Sequence, residues 1–229
     1  MKRIDITLAV CLFLFISVTG QNIPREKILF YEKVKSSLDT VTPCSAHVCT
    51  VQDDSLVIAF FGALCHYPEL CPTNIRLQYG SIRTSMAAQP RLWSLLFRKR
   101  SKRKYKVIIN QKAHSEQAQL LYAAPFNACI GVMGHELAHI TDYSTQSGWQ
   151  MIWTGIRYLG KKYRRKMERE TDSIAIARGF GWQLYNYAYF IIHQADIDEG
   201  YRRYKLEYYM KPEEIYEMIL QKEEDDMDG

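Results

Sequence analysis

Apolar residues at Ile130, Met133, Leu137 and Ile140 recur at the spacing of one helical face, which predicts a helix buried along one side, with Asn127 as the cap that starts it. Upstream, a helix is expected from Glu26 to about Leu38, and Leu56 to Leu64 is apolar throughout. That run fits a buried helix or a buried strand equally well. From Ile75 the pattern alternates: Ile75-Arg-Leu77-Gln-Tyr79, a Gly80 turn, then Ile82-Arg-Thr84-Ser-Met86. This reads as a hairpin with one face buried, and Tyr105 to Asn110 reads as a further strand. Beyond Phe180 the aromatics Trp182, Tyr185, Tyr187, Tyr189 and Phe190 suit helical core, and Lys211-Pro212-Glu213-Glu214 marks a helix start. Strands followed by a run of helices make an α+β chain.

The first twenty residues follow a different logic. Lys2 and Arg3 precede an apolar core from Ile6 to Val18, and Val18-Thr19-Gly20 is a passable cleavage site, the layout of a secretory signal peptide. The core falls short of the ~20 residues that span a bilayer. The expected organisation is therefore a signal peptide over residues 1–20 and one domain over 21–229, secreted or periplasmic. In such an oxidising compartment Cys44, Cys49, Cys65 and Cys71 are disulfide candidates, most simply as two bridges among themselves. A structural zinc cluster using His47 or His66 is the competing reading, and Cys129 reads as a small buried hydrophobe. The formal charge of +5 is too small to argue for nucleic acid, which export also opposes.

The stretch that carries chemistry is His135-Glu136-Leu137-Ala138-His139. Positions i and i+4 of a helix share a face, so the two imidazoles can hold one Zn²⁺ while Glu136 reaches its open position as general base. Two histidines leave a catalytic site one protein ligand short. Glu168 supplies the third, four residues before Asp172 on a later helix, where Asp172 can accept the outer N–H of a liganding His and fix its tautomer. Without the histidines the same residues would read as a solvated acidic face paired with Lys166 and Arg169.

His135-Glu-Leu-Ala-His139 followed by Glu168-Arg-Glu170-Thr-Asp172 resembles the gluzincin metallopeptidases. The sequence is most similar to the branch that holds the CAAX prenyl proteases and HtpX-like proteases, with Thr171 where Ala is usual. The resemblance spans roughly residues 105–180. It implies a zincin-like domain, a small mixed sheet packed on the HExxH helix, with further helices C-terminal. It implies His135, His139 and Glu168 as zinc ligands, Glu136 as general base and Asp172 behind them. Peptidases of this kind often place a His or Tyr downstream to stabilise the oxyanion, and His193 is a candidate. The long transmembrane hairpins of the membrane enzymes are absent, which points to a minimal, water-soluble form. The metzincin pattern is excluded, because Asp142 and Thr145 stand where Gly and His would be needed.

A peptide or protein substrate follows, bound by adding a strand to one exposed sheet edge. Two basic runs, Arg98–Lys104 and Lys161–Lys166, read either as solvated faces or as peripheral contacts with anionic lipid. The alternatives to a peptidase are a catalytically silent, zinc-holding binding or chaperone-like protein, and a membrane-associated factor whose metal only stabilises the fold.

Overall fold

The computed structural model describes residues 23–39, 47–111 and 116–228. The proposed signal peptide and Cys44 lie outside these residues. In chain order the elements are α1 (Tyr31–Asp39), β1 (Val48–Cys49), α2 (Asp54–Leu64), β2 (Asn74–Gly80), β3 (Met86–Pro90), α3 (Leu92–Phe97), β4 (Lys104–Asn110), α4 (Glu116–Ala123) and α5 (Phe126–Thr145). Five helices complete the chain: α6 (Gly148–Arg157), α7 (Lys161–Ala175), α8 (Gly181–Tyr189), α9 (Glu199–Tyr208) and α10 (Pro212–Asp228). The architecture is α+β, with a small mixed sheet and a majority of helices. No described helix is long and apolar enough to cross a membrane.

The sheet order is β1-β2-β4-β3, with β1, β2 and β4 parallel and β3 antiparallel to β4. The expected hairpin is not formed. β4 lies between β2 and β3, so the segments flanking Gly80 never pair with each other, and the second strand starts only at Met86. Ile75 and Leu77 are still buried on one face, as their alternation predicts. Alternation reports which face is buried but carries no information about the partner strand. The apolar run at 56–64 is the helix α2, capped by Asp53, whose carboxylate accepts from the Leu56 N–H. The early helix begins later than expected, at Tyr31, after a short 3₁₀ turn over Arg25–Lys27.

Helix α5 is the centre of the packing. Every residue from Asn127 to Ile140 is buried, and each large apolar side chain among them contributes roughly 1.5–3 kcal/mol by leaving water. Asn127 is not the cap; Pro125 holds that position. Asn127 instead lies inside the helix, where its Oδ1 accepts from the Leu29 N–H at 2.9 Å and its Nδ2 donates to Asn186 Oδ1 at 3.1 Å. It ties the N-terminal segment and α8 to α5. Two glycines let neighbours approach closely. A Cβ on Gly131 would lie 2.4 Å from the Gln183 carbonyl carbon and oxygen of α8, and one on Gly134 would meet the Phe180 ring at 2.7 Å. Between α7 and α8 the chain turns at Gly179, whose φ of +93° is open to glycine and rarely to other residues.

The expected pair of bridges among the four N-terminal cysteines is not formed. Cys71 is disulfide-bonded, but Cys49 and Cys65 carry free thiols. Cys49 Sγ turns to the Val51 carbonyl at 3.7 Å, while Cys65 is exposed at the end of α2. Cys129 is buried on α5 as expected, its thiol directed to the Leu121 carbonyl at 3.3 Å.

Candidate metal centre

Helix α5 presents His135 and His139 one turn apart, and α7 crosses it carrying Glu168 and Asp172 on a buried stripe with Met167, Thr171 and Ala175. Glu168 Oε2 lies 3.2 Å from His135 Nε2 and 3.3 Å from His139 Nε2. In a tetrahedral site with metal–ligand distances near 2.0–2.1 Å, neighbouring ligand atoms stand roughly 3.3 Å apart. These three side chains are the one group among the described residues whose ligand atoms could share a metal ion. Among the described residues no such cluster involves His47 or His66.

The surrounding groups decide which atoms face the centre. His135 Nδ1 donates to Asp172 Oδ1 at 2.8 Å, and Asp172 Oδ2 accepts from the Met210 N–H at 2.9 Å. With Nδ1 so engaged, Nε2 is the His135 atom that faces the ligand cluster. The Thr171 hydroxyl donates to the Met167 carbonyl at 2.9 Å, so at its 3.2 Å contact with His139 Nδ1 it is the acceptor. That sets the same tautomer for His139. Thr171 thus performs for one histidine what Asp172 performs for the other. Tyr158 donates a short hydrogen bond to Glu168 Oε1, leaving Oε2 for the cluster.

Electrostatics follow from this enclosure. Burial alone would raise the Glu168 carboxyl, but His139 and His135 outweigh it and hold the pKa well below the usual range. Burial alone would lower His135, and the hydrogen bonds it donates to Asp172 and Glu168 overcome that, pushing it up to about 10. A metal ion taking Nε2 competes with protons for these ligands, so binding releases protons.

Glu136 reaches β3, where its Oε2 accepts from the Ala88 N–H at 2.5 Å. It borders a cleft of about 270 Å³ whose walls are the β3 edge (Met86 to Pro90), the inner side of α6 (Met151, Thr154, Gly155) and the ligands His139 and Glu168. A second, narrower cavity of about 40 Å³ opens from the other side of Glu136 toward Tyr187 and Lys205. β3 is the sheet edge beside the helix, because among the described residues it pairs with β4 alone.

His193 is not part of this site. The π turn that ends α8 carries it outward, where it is exposed and packs against Tyr189 with the ring centroids 4.6 Å apart and the planes tilted. Tyr209, by contrast, lies beside the cluster. It borders both cavities, its ring lies 5.6 Å from that of His135, and burial, with Glu168 next, keeps its phenol protonated far above its ordinary range. Tyr143 stacks on His139 at 5.7 Å, and burial holds its phenol protonated too. Tyr209 sits at the end of α9, forty residues beyond the second motif, among many other tyrosines. No local pattern in the sequence distinguishes it.

No known family model, no curated protein and no solved structure matches this chain.

Proposed function

We propose that this chain is a zinc-dependent metalloendopeptidase of the gluzincin type, exported from the cytoplasm and acting on peptide bonds. The observation that carries the reading is the convergence of His135 Nε2, His139 Nε2 and Glu168 Oε2 at tetrahedral-edge distances beside a cleft bordered by Glu136. Two imidazoles and one carboxylate match the His₂Glu donor set of catalytic zinc, which leaves one position open. Zn²⁺ held by these residues would supply a water that ionises near neutral pH and would polarise the scissile carbonyl.

The remaining work falls to the chain's own groups. Ala88 N–H holds one oxygen of Glu136 and so fixes the carboxylate beside the cleft; the other oxygen takes the proton of the attacking water and returns it to the leaving amine. The Tyr209 phenol donates to the oxygen on which negative charge develops. β3 binds the substrate as an added strand along its free edge, which runs directly past Glu136.

One observation favours the catalytically silent alternative: Glu136 is already bonded to a backbone N–H, as a purely structural carboxylate would be. Metal content and digestion of a peptide library, measured for wild type and Glu136→Gln side by side, separate the two. The peptidase reading expects equal zinc in both proteins and a 10²–10⁴-fold loss of cleavage in the variant. Equal cleavage by both, or none by a zinc-loaded wild type, would sink it.

A further inference from the structure

We propose that α3 and α6 together form a docking surface for an anionic phospholipid bilayer, with the mouth of the cleft at its border. Helix α3 exposes Leu92, Trp93, Leu96 and Phe97, of which Trp93 is 75% and Phe97 74% accessible, with their rings stacked on one another in solvent. Helix α6 and the turn after it expose Trp149, Trp153, Ile156 and Leu159, with Trp149 82% accessible. The two groups belong to one surface. The start of α6 abuts α3, since a Cβ on Gly148 would lie 3.5 Å from the Leu95 carbonyl, and Arg103 bonds the Gln146 carbonyl at 2.6 Å between them. Apolar exposure on this scale marks an interaction site.

Charge selects the occupant. No Asp or Glu occurs between Glu69 and Glu116, nor between Asp142 and Glu168, so both exposed segments lie in acid-free stretches of the chain. A groove beside Trp93 and Phe97 is lined by Arg91, Arg98, Lys104 and Lys106. Directly after Leu159, α7 begins with Lys161 and Lys162 and has no acidic residue in its first turn, where the helix dipole favours anions. Tryptophans rimmed by cations suit the headgroup layer, where the rings enter the apolar boundary and the cations meet phosphates. A second copy of this chain would bring the same cations face to face. The inner side of α6 lines the cleft, and Pro90, the last residue of β3, is separated from α3 by Arg91 alone. Resting on the peptidase reading, the docked enzyme would therefore meet peptide segments that lie close to a membrane surface.

The test is flotation of the full chain, carrying Glu136→Gln so that activity plays no part, with vesicles of phosphatidylcholine alone or mixed with phosphatidylglycerol. The expected result is binding to the anionic vesicles that weakens as salt is raised. Arg98→Glu with Lys162→Glu should weaken it at least tenfold, since each cation removed from the surface is worth about fivefold. Trp93→Ser with Trp149→Ser should do the same and abolish a blue shift of tryptophan emission. The N-terminal apolar segment is present in every variant, so the differences report on this surface alone. Binding unchanged by both pairs overturns the proposal. So does wild type that ignores vesicles but sediments as a dimer the tryptophan pair dissociates, which would make the face an interface between copies. Neither result bears on zinc or on peptide cleavage.

Discussion

Helices α5 and α6 follow one another in the chain, both carry many apolar side chains, and they are used in opposite ways. In α5 the residues from Asn127 to Ile140 are buried without a break, and two glycines bring α8 and Phe180 against its backbone. In α6 only Met151 is buried, while Trp149, Trp153 and Ile156 face solvent. The contrast shows what apolar residues accomplish in each place. Those of α5 fix the positions of three polar side chains, His135, Glu136 and His139, to within hydrogen-bonding tolerance. Those of α6 contribute little to the interior and shape an outer face.

The comparison can be broken most forcefully at Gly131. Replacing it with Ala puts a methyl group into the α8 backbone, and α5 and α8 must separate. A loss of about 3 kcal/mol is expected in urea unfolding, and an unchanged midpoint would show that the α5 packing is less exacting than described. A smaller effect is expected at the support of the ligands. Asp172→Asn keeps the shape but weakens the hold on His135 and Met210, so zinc affinity should fall 10–100-fold in a chelator competition.

Smaller still is the contribution of the pair Arg169–Glu214, which joins α7 to α10 at 2.7 Å on a partly exposed face. The hydrogen bond from Arg169 lowers the Glu214 carboxyl to about 2. Because the folded value lies below the unfolded one, its contribution is complete above about pH 4.5 and is lost as pH falls towards 2. Solvent screening limits it to about 1 kcal/mol or less, and Arg169→Ala should remove that part of the acid dependence in melts taken across this range. The smallest effect sharpens the comparison most. Trp153→Ser on α6 should change stability by no more than about 0.5 kcal/mol, as exposed sites do. A loss of several kcal/mol in thermal unfolding would mean that α6 is core after all.

The site was legible in the sequence where chemistry depends on spacing within a helix. His135, Glu136 and His139 are fixed relative to one another by one turn of α5, and Glu168 and Asp172 by one turn of α7. What lies across space was not. Ala88 N–H reaches Glu136 from a strand whose residues, Met86 to Pro90, show no β-branched or alternating signature. The order of the sheet depends on β4 inserting between β2 and β3, which pairing preferences along one strand do not encode. His193 sits near the right place in the chain and the wrong place in space, because the turn after α8 faces it outward. Tyr209 reaches the centre through the packing of α9 on α7, a contact with no counterpart in the local sequence. Two of the four disulfide candidates, Cys49 and Cys65, were misread for a related reason, while Cys71 does form a disulfide. Spacing brings Cys49 and Cys65 into the same part of the chain, but one lies on a strand edge and the other at a helix end.

Helix α6 is secured at both ends: at its beginning by the Ser147–Gln150 capping box and by Arg103, whose guanidinium spans Gln146 and Met151, and at its C-cap by Tyr158, whose hydroxyl donates to Glu168 and whose carbonyl accepts from Arg164. Between these anchors Gly155 has no neighbour within reach of an added methyl group. The middle of α6 should therefore trade its amide protons for deuterium well before α5 does. The same tyrosine that closes this wall of the cleft also holds a ligand carboxylate, so a shift of the wall is felt at Glu168.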